Sequence, residues 1–189
     1  MHRRVFLLLI GFAFTLPLVA RSEGQPFAGL PTEDAPKFTG WGWNNRDKAK
    51  YFNAERKRLG ESFQRELLKY VGENVQRHYW CAAFLTTYSD IGTTPPMPEL
   101  ALLLLEQGIT LCRASLSHSR NKEDLVTLSV SAALLSQQLG LSVQAKHHRA
   151  RAEHLVEEDP HLAGAWPVQS QANRKIFNSI PYEPKVKTQ

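Results

Sequence analysis

The hydrophobic positions of this chain fall into four stretches in which apolar residues recur every three or four positions. That spacing is the period of one face of an α-helix. The first stretch runs from about Arg46 to Tyr88 and carries Phe63, Leu67, Val71, Val75, His78, Ala82 and Leu85 on one stripe. Gly60 and Gly72 interrupt it, and a glycine inside a helix costs about 1 kcal/mol relative to alanine, so a bend or break is predicted at one of them. Residues 90–96, which include Gly92, Pro95 and Pro96, read as a loop.

The second stretch opens at Pro98, whose fixed φ suits the first helical position, with Glu99 at the positive end of the helix dipole. Leu102, Leu105, Ile109, Cys112 and Leu116 form its stripe. Leu100, Leu103, Leu104 and Leu111 add apolar surface on other sides, which predicts the central helix of the core. The third stretch has Asn121 as its expected N-cap, then Leu125, Leu128, Ala132, Leu135 and Leu139, with Gly140 as a left-handed terminator. The fourth places Leu141, Ala145, His148, Ala152 and Leu155 on one stripe and closes at Asp159-Pro160. So short a link at Gly140 predicts an antiparallel helical hairpin. The hairpin has about the length of one unit of a helical repeat array, but no second copy is found. The expected fold is therefore all-α, with four main helices over residues 46–160 arranged as an irregular bundle or as repeat-like hairpins.

The flanks read differently. His2-Arg3-Arg4 precedes sixteen uncharged residues, Val5 to Ala20, fewer than the roughly 20 needed to span a bilayer. This is the layout of a secretory signal peptide. Ala20-Arg21-Ser22 supplies small residues at −3 and −1, so residues 1–22 are assigned to the signal. Arg3-Arg4-Val5-Phe6-Leu7 resembles the twin-arginine export signal, which implies export of a folded protein; the general secretory route stays open. Residues 23–45 hold three prolines and four glycines without a helical or alternating period, which predicts an extended leader. Residues 161–189 form a C-terminal extension with a short helix between Trp166-Pro167 and Pro181, and a loosely held end. After signal cleavage the longest apolar run, Leu100 to Leu105, is six residues, so no transmembrane segment is expected.

Composition narrows the picture. The 189 residues are 42% hydrophobic and 22% charged, which suits a packed core. Twenty-three Lys and Arg against 18 Asp and Glu give a net charge of +5. Arg3 and Arg4 belong to the signal, so the mature chain keeps 21 basic against 18 acidic side chains, and the excess gathers at Arg46 to Arg58. Nucleic acid is the wrong partner for an exported chain. An unidentified protein, or an anionic polysaccharide or envelope surface, is the partner consistent with that address.

Candidate chemistry is sparse. Cys81 and Cys112 lie on neighbouring helical stretches and are either bridged or two separate buried thiols. At 1.5 Å per residue, a bridge needs the two helices to be staggered by about 10 Å. His147, His148, His154 and His161 gather near one helix but lack the i,i+3 or i,i+4 histidine pair of a helical metal site. Arg151 beside His147 and His154 also disfavours a cation, and Arg149 with Glu153 reads as a solvated ion pair. No metal or cofactor is assigned. Trp41 and Trp43 point to the same side of an extended chain and are candidates for surface binding with Arg56, Lys57 and Arg58. There is no GxSxG, P-loop, GxGxxG or EF-hand loop, and no catalytic residues are assigned. The expected function is an exported, non-catalytic helical binding or scaffold protein in the periplasm or outside the cell. The alternative is a small exported enzyme or cofactor-binding protein with a ligand between helices near His78, Tyr79 and Cys81. Amino-terminal sequencing of the exported protein should find a start between Arg21 and Gln25; a start at Met1 would overturn the signal assignment.

Overall fold

A computed structural model describes residues 25–28, 30, 45–89, 94–114, 119–165 and 171–184. Its elements are α1 (Asn45–Leu59), α2 (Phe63–Val71), α3 (Val75–Leu85), α4 (Pro98–Ala114), α5 (Ser119–Gln138), α6 (Ser142–Glu158) and α7 (Gln171–Ser179). Short 3-10 turns at Gly60–Ser62 and Pro160–Ala165 link α1 to α2 and follow α6. The fold is all-α, with no strand among the described residues. No described helix is long and apolar enough to cross a membrane.

The first predicted helical stretch is three helices, because both glycines break it. Gly60 and Gly72 adopt positive φ, 51° and 47°, a region open to glycine and strained for other residues. Asn74 then caps α3: its side chain accepts a hydrogen bond from the Arg77 amide at 3.0 Å, satisfying one of the orphan donors of a helix start. α4 begins at Pro98, and α5 begins two residues ahead of Asn121. At the other end of α5, the Leu141 amide donates to the Ser136 carbonyl at 2.8 Å and the Gly140 amide to Gln137 at 3.1 Å. With Gly140 at φ 75°, this is the Schellman closure, and it turns the chain straight into α6.

The central helix is α5, not the more apolar α4. Residues 124 to 130 and 132 to 136 of α5 are all buried, whereas Leu103 of α4 is 38% exposed. Two stripes explain this. Leu125, Leu128, Ala132 and Leu135 join a core built with α1 to α4, while Val126, Val130, Ala133 and Leu134 join a second core with α6, α7 and the turn after α6. Among the hydroxyls that α5 carries inward, Thr127 is shared between the Glu123 carbonyl at 3.1 Å and the Ala165 carbonyl at 2.6 Å, whereas the buried Ser129 and Ser136 hydroxyls have no hydrogen-bond partner among the described residues. Gly108 of α4 allows the closest approach. A Cβ there would lie 3.2 Å from both the His78 Cβ of α3 and a Leu128 methyl of α5.

The flanking segments are part of the packing. Phe27 and Leu30 of the leader are buried in the first core. The Phe27 ring lies 5.7, 6.0 and 5.1 Å from Phe52, Phe63 and Tyr70, at centroid spacings where tilted and edge-on rings attract. Its backbone sits at φ 63°, a strained value for a bulky residue, held by burial of the ring and by the adjacent Leu30-to-Phe27 turn hydrogen bond of 2.9 Å. At the other end, the expected short helix, α7, docks through Phe177 and Ile180 into the second core, and the end beyond residue 184 lies outside the described residues. Arg149 of α6 secures α7. Its guanidinium donates to the carbonyls of Phe177 at 3.0 Å, Asn178 at 3.1 Å, and Ile180, and lies over the Phe177 and Tyr182 rings. A cation thus caps the carbonyls that a helix C-terminus leaves without partners.

Phe27→Ala should lower unfolding stability by about 3–5 kcal/mol, the usual cost of emptying a buried aromatic site. Urea denaturation measures it, and a loss below about 1 kcal/mol would show that the aromatic pocket does not depend on this residue.

Candidate functional site

The sequence-based candidates are scattered by the fold. Trp41 and Trp43 lie outside the described residues. Arg56 is turned inward, donating to the Pro95 carbonyl at 2.6 Å with its guanidinium 5.8 Å from the Phe63 ring centroid. It ties α1 to the loop before α4. Arg58 chelates Glu55 through bonds of 3.0 and 2.8 Å, and this holds the Glu55 carboxyl below its ordinary pKa. Lys57 is exposed. The basic stretch of α1 is thus largely spent on contacts within the protein.

The disulfide reading is corrected. Cys81 and Cys112 are both free and buried. The Met97 amide donates to the Leu85 carbonyl at 2.9 Å, which sets α3 and α4 level as a hairpin. Cys81 lies four residues from that point and Cys112 fifteen, a mismatch of about 17 Å along the axes at 1.5 Å per residue. The stagger that a bridge needs is absent. Burial raises both thiols, Cys112 to about 12, with Asp124 adding to the effect there. They stay protonated, and the thiolate is the reactive form.

Of His78, Tyr79 and Cys81, only Tyr79 lines the larger groove formed by the described residues. His78 is buried, and its Nδ1–H donates to the Asn74 carbonyl at 2.9 Å. Burial holds the ring's pKa below the ordinary histidine value. Tyr79 instead lines an open groove of about 590 Å³ where α3, α4, α5 and α7 meet. Ala82, Ala83, Leu105, Leu134 and Leu135 supply its apolar walls, and Thr86, Gln138 and Asn173 are among its polar residues.

A second groove, of about 470 Å³, lies between α4 and α6. It joins Glu106, Ile109, Thr110 and Arg113 from α4 to Val143, Gln144, His147, His148 and Arg151 from α6. Arg151 organises the α6 side: one terminal nitrogen contacts His148 Nδ1 at 3.2 Å and the other contacts His147 Nε2 at 2.7 Å. Because a guanidinium only donates, both ring nitrogens act as acceptors. The proton of His148 then sits on Nε2, 3.5 Å from the Glu106 carboxylate. Burial, followed by the charge of Arg151, pushes the His148 pKa down to about 4, and His147 is lowered by the same causes together with Arg113. Both rings are neutral near pH 7. Among the described residues, no group of three or more His, Cys, Asp and Glu side chains is placed to hold a metal ion.

The i,i+3 and i,i+4 placement of His148 and His147 relative to Arg151 was legible in the sequence. The partnership of Arg113 with Arg151 was not, since it joins two helices 38 positions apart without a motif. No family model, curated protein or solved structure matches this chain.

His148 has a pH signature. The unfolded chain takes up this proton near pH 6.5 and the folded protein only near pH 4. Its contribution to stability is therefore full above pH 6.5 and falls as pH drops through that window, by about 3 kcal/mol in all. Urea denaturation at pH 7 and pH 4 should show a smaller acid loss for His148→Leu than for wild type. Equal losses would exclude His148 as the group responsible.

Proposed function

We propose that this chain is an exported, non-catalytic helical binding or scaffold protein of the periplasm, cell envelope or extracellular space, acting on an unidentified protein or on an anionic polysaccharide or envelope surface. The observation that carries the reading is the state of its reactive side chains. Both thiols are buried and protonated. His78 is buried with Nδ1 bonded to the backbone, and His147 and His148 present their lone pairs to Arg151. Thiolates and free imidazole nitrogens are common nucleophiles and general bases, and these thiols and imidazoles are engaged within the fold. What remains open to solvent is concave surface. The export half of the proposal rests on the positive residues Arg3 and Arg4 ahead of the uncharged run Val5 to Ala20.

A second reading, a protein that carries a small ligand or cofactor between its helices, is favoured by the groove beside Tyr79. Its volume of about 590 Å³ lies in the range of small-molecule sites. Intact-mass measurement of the purified protein under native and denaturing conditions separates the two. Equal masses are expected for the binding scaffold, and a small molecule or metal lost on denaturation would overturn it in favour of the carrier.

A further inference from the structure

The groove between α4 and α6 has an unbalanced charge. Arg113 is exposed near the end of α4, and Arg151 is half-buried in α6. Among the described residues, neither has a carboxylate within ion-pairing distance. Glu106, the one acidic side chain lining the groove, lies 3.5 Å from His148. Burial and then the charge of Arg113 lower the pKa of Arg151, and Glu106 offsets part of this; two cations against one carboxylate leave the groove with a net positive charge. Two like charges held side by side in a concave site lower their energy by sharing an anion. Arg151 is pre-organised for this: its bonds to His147 and His148 fix the guanidinium and use only part of its donor set. His147, which accepts through Nε2, carries its own proton on Nδ1 as a further donor among the lining residues.

The groove has more room than a bare anion needs, and its other lining is not ionic. Ile109 is buried in the α4 wall, Val143 is 80% exposed, and Gln144 adds an amide. Apolar surface beside hydrogen-bonding groups suits a sugar ring, which has C–H faces and a hydroxyl edge. We propose that this groove is a subsite for an acidic sugar residue, one carrying a sulfate ester or carboxylate. Arg113 and Arg151 hold the oxyanion, Val143 packs against the ring, and Gln144 meets a hydroxyl. The proposal deepens the binding reading above and rests on it, naming an acidic polysaccharide as the ligand class and moving the anion contact from α1 to α4 and α6.

Calorimetric titration of the full chain with sulfated dextran oligosaccharide, oligogalacturonate, neutral dextran and sodium sulfate tests it. One or both acidic sugars should bind more tightly than free sulfate, and neutral dextran should not bind. The sulfated and carboxylated probes together identify which oxyanion is preferred. Arg113→Gln should weaken binding by about tenfold, the effect of losing one charge-assisted contact. Val143→Glu should weaken it by repulsion, and Lys175→Gln on the exposed face of α7 should leave it unchanged. Both groove positions are exposed, and unchanged circular dichroism would confirm that these variants fold. Three results would overturn the proposal: no binding of either acidic sugar, free sulfate binding as tightly as the sugars, or equal weakening by Arg113→Gln and Lys175→Gln. None of them affects the native-mass comparison, so the subsite can fail while the broader binding reading stands.

Discussion

The structure depends on burying α5 on two opposite sides. A helix with one apolar stripe needs one partner layer; α5 carries two, and each recruits its own. Leu125, Leu128, Ala132 and Leu135 gather α1 to α4 on one side, while Val126, Val130, Ala133 and Leu134 gather α6, α7 and the intervening turn on the other. The hydrophobic effect rewards both burials at about 25 cal/mol per Å² of apolar surface. A charge inserted at either stripe would therefore disturb one whole layer.

Central burial constrains what else α5 can carry. Small side chains let the neighbouring helices approach, and Ser129, Ala133 and Ser136 of α5 are buried along with Ala145 and Ala152 of α6. Thr127 and Ser131 return their hydroxyls to carbonyls four residues back, while the Ser129 and Ser136 hydroxyls are buried without a partner among the described residues, a cost that the packing offsets. Gly108 does the equivalent service on the other side, where α3, α4 and α5 converge. With the interior filled this way, burial keeps the Cys81 and Cys112 thiols and the His148 ring neutral near pH 7, while Arg113 and Arg151 lie at the groove between α4 and α6. The placement of Arg113 beside Arg151 follows from the same packing that buries Cys112 and His148.

Much of the local structure was legible. Pro98 opens α4, Gly140 closes α5, and the Leu125-to-Leu135 stripe faces a core because each depends on φ preferences or on a short-range period. The rank of the helices was misread for a definable reason. Overall apolarity picked out α4, but the small and hydroxylated residues of α5 conceal its second stripe. Phe27 was read within an extended leader, since nothing local shows that an aromatic pocket from α1 and α2 awaits it. Arg149 was read as a solvated partner of Glu153. That pair forms at 3.3 Å, yet the guanidinium also caps α7, a contact about 30 positions away.

The sequence by itself determined the helical class, most helix boundaries and the apolar stripes. These arise from the backbone preferences of proline and glycine and from periodicity over a few turns. Only the tertiary structure decided that α5 is central, that Cys81 and Cys112 stay apart, and that Arg56 faces an inward partner while Arg113 and Arg151 share a groove. Each of those outcomes is a distance between residues far apart in the chain. Such distances follow from how the helices stack and from the level at which each hairpin closes, which local pattern does not encode.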